Sequence, residues 1–243
     1  MVPVSFAFDF AGRELAVAGG RALYWPAERA LLVADLHLEK ASFYARHGQM
    51  LPPYDSRETL ERVAEAIRAT GARRVFTLGD NFHDAGGAAR LEPHAAGMLD
   101  ALTRATDWVW ITGNHDRGQG ADARGAPGGT IVEELEVGGM ILRHHAQRGE
   151  ARPELSGHFH PQLKLVARGR PIRRPCVVVS STPHGEGPKT GVKLIMPAFG
   201  ALTGGMDAAD PAILSAMQPA SAIDAVVPTR AKLLQFPLWR AAA

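Results

Sequence analysis

The chain has 243 residues, 46% of them hydrophobic and 21% charged, and a net charge of +2; this is the balance of a globular protein of one domain or two small ones, with enough apolar material for a sizeable core. Its single cysteine, Cys176, excludes an internal disulfide and any multi-cysteine metal cage, so a bound metal must take His, Asp, Asn or Glu ligands. The first thirty residues carry Asp9, Arg13, Glu14 and Arg21 without a sustained apolar run, and no segment reaches membrane-spanning length, so a cytoplasmic protein is expected.

Two weak strand-like stretches, VSFAF and ELAVAG, open the chain, and ALLVADLH follows as the first strong apolar run. Asp55 and Glu58 then form a capping box for a helix ending near Thr70, with Leu60, Val63, Ala64 and Ile67 on one face and Gly71 as its stop. RRVFTLGDN is the second strong run, a helix is expected from Pro93 to Thr106, and DWVWITGNHD is the third run. Strand and helix in alternation indicate a largely parallel sheet. The glycine-rich GQGADARGAPGG reads as a mobile loop. Beyond it GGMILRHH, PCVVVSS and VKLIMPAF come with short connections, as in a second, more antiparallel sheet, and the tail ending LLQFPLWRAAA reads as a helix and a final strand. The expected fold is α/β, a four-layer α/β/β/α sandwich of two mixed sheets flanked by helices. With no linker between its halves, residues 1–243 read as a single domain.

Chemistry-bearing residues gather where the apolar runs end. Asp35 and His37 in ADLHLEK stand at i and i+2, which points both side chains to one side of an extended chain and lets them chelate one ion. Asp80 follows the turn-permitting Gly79, and its two carboxylate oxygens can bridge a pair of cations; Asn114 offers an amide oxygen, followed by His115 and Asp116. In parallel α/β sheets such positions converge beyond the carboxyl ends of the strands. A cluster in RHHAQRGEARPELSGHFHP, with His144 after a strand and His158 and His160 flanking Phe159, completes the shell from the second sheet.

The ordered set DxH, GD, GNHD, a strand-end His and GHxH, here spanning Asp35 to His160, resembles the calcineurin-like metallophosphoesterases. The resemblance implies that Asp35, His37 and His160 hold one metal, that Asp80 bridges, and that Asn114, His144 and His158 hold a second. It makes His115 the catalytic histidine that binds no metal and gives Asp116 the task of orienting it. In RHHA, where relatives have a single His before Gly, His144 takes the ligand position and His145 is the alternative. Within the family, YWP, ADLHLEK, LPPYDS, GDNFHD, LRHHA, GHFHP, RRPCVVV and MPAFGALTGG are similar to the bacterial ligase-associated DNA-repair phosphodiesterases (the PdeM branch), also described as endonucleases. That branch implies DNA as substrate and functional association with DNA ligase and helicase repair proteins.

Such a site would hold two divalent ions about 3.5 to 4 Å apart, sharing Asp80 and a water that attacks phosphorus in line as hydroxide. Manganese is the first expectation by resemblance, and iron or zinc would also suit thiolate-free ligands. His115 can stabilise the developing charge or protonate the leaving alkoxide. Lys40, His83, Arg143, His145 and Arg148 are candidate substrate contacts, and Asp84 stands beside His83 as contact or support. His47, His94 and His184 read as surface or packing residues. Between Arg143 and Lys193 ten Lys or Arg face three acids, which suits a polyanion, although 22 of the 27 basic residues are arginine and base composition alone could produce the bias. Three functions are therefore weighed: a DNA-directed phosphodiesterase, a phosphoesterase for a small nucleotide, phosphomonoester or lipid pyrophosphate, and a noncatalytic scaffold on the same fold.

Overall fold

The computed structural model describes residues 6–116, 128–181, 192–229 and 231–241; His184 and most of the glycine-rich segment after Asp116 lie outside them. Strands β1 (Phe6–Phe10), β2 (Arg13–Ala18), β3 (Ala22–Trp25), β4 (Ala30–Val33), β5 (Arg74–Leu78), β6 (Asp107–Ile111) and β7 (Thr130–Val132) lie side by side in chain order as one sheet. β1 to β4 form an antiparallel meander, and β4 to β7 run parallel. The parallel part needs crossovers, and helices supply them: α1 (Lys40–Arg46) and α2 (Asp55–Thr70) between β4 and β5, and α3 (Pro93–Ala105) between β5 and β6.

The second half of the chain contributes β8 (Glu134–Val137), β9 (Met140–Arg143), β10 (Glu154–Ser156), β11 (Pro161–Ala167), β12 (Arg170–Pro175), β13 (Val177–Ser181), β14 (Lys193–Ile195), β15 (Met206–Asp207), α4 (Pro211–Ala216), β16 (Ala222–Pro228) and β17 (Leu233–Arg240). Seven of these strands make a mixed sheet in the order β17-β16-β13-β14-β10-β9-β8, and β12-β11-β15 make a separate ribbon.

The two large sheets face each other across one apolar layer, to which Leu15, Leu32, Phe76 and Val109 come from the first sheet and Leu142, Leu155 and Leu194 from the second. Leu155 is fully buried there, and truncation to alanine should cost about 2 to 5 kcal/mol. The other face of the first sheet packs Leu31, Val33, Val75 and Trp108 against Leu60 and Val63 of α2 and Leu99 of α3. The outer face of the second sheet meets Ile213 of α4, Leu163 of the ribbon and the buried Cys176, whose thiol burial pushes up to about 12. The expected four layers are present, the fourth being one short helix and the ribbon. The tail holds two strands after its helix rather than one.

One local expectation is corrected. α2 spans Asp55–Thr70 and stops at Gly71 in the left-handed conformation (φ +67°), but Asp55 and Glu58 form no capping box. Asp55 instead accepts the backbone N–H of Ala41 at 3.1 Å, and Ser56 accepts that of Glu39 at 2.8 Å while donating to its carboxylate at 2.7 Å. The start of α2 therefore satisfies the start of α1, which pins the segment carrying Asp35, His37 and Lys40.

Candidate metal centre

Five loops meet beyond the carboxyl ends of β4, β5, β6, β9 and β10, and main-chain hydrogen bonds stitch them together. Asp35 N–H donates to the Gly79 carbonyl at 3.1 Å, His37 N–H to that of Asp80 at 2.9 Å and Gly157 N–H to that of His144 at 2.9 Å. The Asp35 carboxylate accepts His158 N–H at 3.1 and 3.0 Å, and Asp80 accepts His115 N–H at 2.9 Å.

The backbone that presents these side chains is not extended, as the i, i+2 spacing suggests, but alternates through the left-handed region. Asp35 (φ +53°), His37 (+44°), Asp80 (+48°), His158 (+71°) and His160 (+49°) are five of the nine non-glycine residues with positive φ among the described residues. Asp and His are among the types that enter this region most readily, yet each such residue costs about 1 to 3 kcal/mol, a cost that concentrates at functional sites. Gly79 is required for a second reason: at φ +79°, a Cβ on it would lie 2.2 Å from His144 Nδ1.

Two triads that mix carboxylate and imidazole result. Asp35, His37 and His160 offer ligand atoms mutually within 4.8 Å, and so do Asp80, His144 and His158; a third group, all imidazole, is His37, His83 and His115. The triads adjoin, since His37 Nε2 lies 3.7 Å from Asp80 Oδ2 and His144 Nδ1 3.8 Å from Asp35 Oδ1. Asn114 Oδ1 stands 3.0 Å from His144 Nε2 and 3.1 Å from His158 Nδ1, inside the second triad. His144 Nδ1 lies 3.0 Å from the Leu78 carbonyl, which sets its proton there and leaves the Nε2 lone pair facing Asp80 and Asn114. Burial first, then the neighbouring imidazoles and Lys40, push His37 down to about 2, and burial and His144 push His158 down to about 4, so both rings stay neutral with a lone pair to give. Imidazole nitrogens facing each other at 3.3 Å (His37 and His160) and 3.1 Å (His144 and His158), with carboxylates between, suit divalent cations: lone pairs repel unless a proton or metal lies among them.

His145 alternates away from His144, is exposed, and packs its ring on His158 at a centroid distance of 4.5 Å. His115 holds Nδ1 2.8 Å from the His83 carbonyl and Nε2 3.9 Å from Asp80 Oδ2, with its side chain 39% exposed. The orienting partner is therefore that carbonyl and not Asp116. The buried Asp116 carboxylate is occupied by the N–H groups of Gly113, Asn81 and Phe82 and by the Asn81 amide, which fixes the loops after β5 and β6 instead.

Among the expected substrate contacts, His83 stacks on His115 (5.2 Å, 20°) and brings Nδ1 within 3.4 Å of His37 Nδ1. Lys40, at the start of α1, is close enough to lower the pKa values of both His37 and His83. Arg143 is corrected: its residue is 4% exposed on the face opposite Leu142, and it pairs with Glu150 at 3.0 Å and Glu134 at 3.2 Å. Arg148 is exposed on the following loop. Asp84 is held by Arg90, and His47 and His94 are exposed outside the cluster. Sequence reasoning missed Tyr44, which stacks on His83 (5.6 Å, 26°) one turn into α1, a placement without any local sequence signal.

The family model for calcineurin-like phosphoesterase matches residues 28–170, more than half of the chain. A Pseudomonas putida nuclease, MPE, is 29% identical over 95% of this chain and 100% of its own, with a TM-score of 0.68. An Aquifex aeolicus protein of unknown function, AQ665 (14% identity, 49% of this chain and 62% of its own, TM-score 0.36), and a predicted phosphoesterase from Streptococcus pneumoniae (12%, 91% and 99%, 0.33) are far more distant. No curated protein matches the sequence. Two facing donor triads lie within the matched residues, and the chain belongs to the calcineurin-like phosphoesterases, metal-dependent hydrolases of phosphate esters.

Proposed function

We propose that this protein is a two-metal phosphodiesterase that cleaves nucleic acid, with DNA in repair as its substrate. The observation that carries the reading is the adjacency of the two donor triads, together with likeness over nearly the whole chain to a protein described as a nuclease. Asp35, His37 and His160 would hold one ion, Asn114, His144 and His158 the other, and Asp80 would face both. When bound, such ions lower the pKa of an attacking water and draw charge from the phosphate oxygens. The chain's own part is to prevent collapse of these ligands onto one another, by the main-chain bonds from the loops after β4, β5 and β9. His115 presents Nε2 to the same space, with Nδ1 fixed by the His83 carbonyl, so it can give a proton to the leaving oxygen. Asp116 acts at one remove, by holding the loop that carries His115.

A core shared by both large sheets supports reading residues 1–243 as one domain. Manganese and association with DNA ligase and helicase repair proteins rest on the branch resemblance. Cytoplasmic location rests on the sequence expectation alone; separately, no described helix is long and apolar enough to cross a membrane. The test is purified protein with manganese against single-stranded DNA, duplex DNA, a generic phosphodiester and a generic phosphomonoester. Turnover of DNA and diester above monoester is expected; turnover confined to the monoester would transfer the site to a small-molecule phosphatase.

A further inference from the structure

The ribbon formed by β11 and β12 begins at the metal centre, because Pro161 follows His160 directly and His160 shares a narrow crevice with Gln162 and Pro175 of the ribbon. Its fifteen residues, 161–175, carry Lys164, Arg168, Arg170, Arg173 and Arg174 and no acid, and all five cations are exposed. At a rise of about 3.3 Å per residue, Lys164 stands about 13 Å and Arg168 about 26 Å along the chain from His160. The hairpin therefore extends well past anything a single phosphate at the metals could touch.

Two features of this ribbon work against its own stability. Lys164 and Arg173 are directly opposed across the strands, a like-charge pairing that destabilises a sheet, and among the described residues only Lys164 of the five has an acidic partner, Asp207 at 3.5 Å. Ala167 pairs with Arg170, so Arg168 and Gly169 form the two-residue turn, both at positive φ (+50° and +73°). Asn, Asp or Gly normally fills the first of these positions, since these residues enter the left-handed region at least cost. A fold selected for stability alone would place neither Arg168 in that turn nor Arg173 opposite Lys164.

We propose that the β11–β12 hairpin is a binding arm for a nucleic-acid strand whose scissile phosphate lies at the metal centre. The assignment rests on the nucleic-acid reading of that centre given above. The strand's phosphates supply the negative charge that the hairpin lacks, and each contact releases counterions. The arm adds affinity for a polymer and nothing for a substrate confined to the metals.

The test replaces Arg168 by Asn and Arg170, Arg173 and Arg174 by Gln in the full chain. Binding of a fluorescein-labelled single strand of DNA is measured in EDTA across a salt series, and hydrolysis of the strand and of bis-p-nitrophenyl phosphate is measured with manganese. With a contribution of about −0.7 per phosphate contact, the salt slope should flatten by about 2 or more and KM for the strand should rise about tenfold, while the small diester changes by less than about twofold. The melting temperature should stay equal or rise, which a merely structural role for these arginines would not allow. An unchanged slope, or equal losses on both substrates, would overturn the assignment. A parent protein that hydrolyses the small diester but neither binds nor cuts the strand would overturn the nucleic-acid reading and the arm together; a variant that cuts the strand as well as its parent would overturn the arm alone.

Discussion

The metal rim and the basic hairpin are joined at His160, yet they are built in opposite ways. At the rim, Asp35, His37, Asp80 and His144 are buried, backbone torsions are strained, and N–H groups tie the loops to one another. On the hairpin, cations stand exposed, two of them directly opposed. The difference follows from what each must do: metal ligands need positions fixed to fractions of an ångström, whereas attraction of a polyanion needs charge density and tolerates imprecise geometry. Removing one group at the rim should therefore damage all substrates, and removing charge from the hairpin should damage only long ones.

The largest effect is expected from Asp80→Asn, which should reduce hydrolysis of both DNA and a small diester to background, because Asp80 faces both donor triads. Metal analysis of the purified variant should show lowered occupancy, and full activity with full occupancy would remove Asp80 from the centre. Next comes His115→Ala, for which loss of a positioned proton donor should cost about 10² to 10⁴-fold in kcat on both substrates. Both metals should remain; loss of one would make His115 a ligand, as its closeness to His37 and His83 also permits.

A smaller change, Gly79→Ala, acts through geometry. The added methyl would overlap His144 Nδ1, so metal affinity at the second triad should fall by roughly 10 to 100-fold, the range seen when a group supporting a ligand is lost. Titration of metal into the chelated variant would read this directly. His144→Ala should do the same or more, whereas His145→Ala, which removes an exposed ring packed on His158, should leave occupancy intact. Equal effects of the two would mean that the doublet is shared between rim and metal.

Much of the rim was legible because each ligand candidate follows an apolar run, and β4, β5, β6 and β9 lie where those runs predicted them. The three-residue β10 was not legible, since Glu154 and Ser156 carry no apolar signal and are buried only by their neighbours. Asp116 does not touch the His115 ring but accepts from Gly113, Asn81 and Phe82, because adjacency in sequence says nothing about which N–H groups a carboxylate will find, and Asp55 misled for the same reason. The basic bias between Arg143 and Lys193 did not say which side chains stand free, and Arg143 does not, because strand alternation turns it toward Glu134 and Glu150. Beside the exposed Arg148, five more exposed cations lie from Lys164 onward, in a ribbon whose polar composition gave little strand signal.

The central claim is that the two donor triads together form a centre that hydrolyses phosphodiesters. The most direct measurement is metal stoichiometry and DNA cleavage on one preparation, before and after chelation and after readdition of manganese. The account predicts about two divalent ions per chain, loss of cleavage when they are removed, and recovery when both return. Cleavage that survives complete removal of metal, or a fully reconstituted protein inactive on DNA and on a small diester alike, would contradict it.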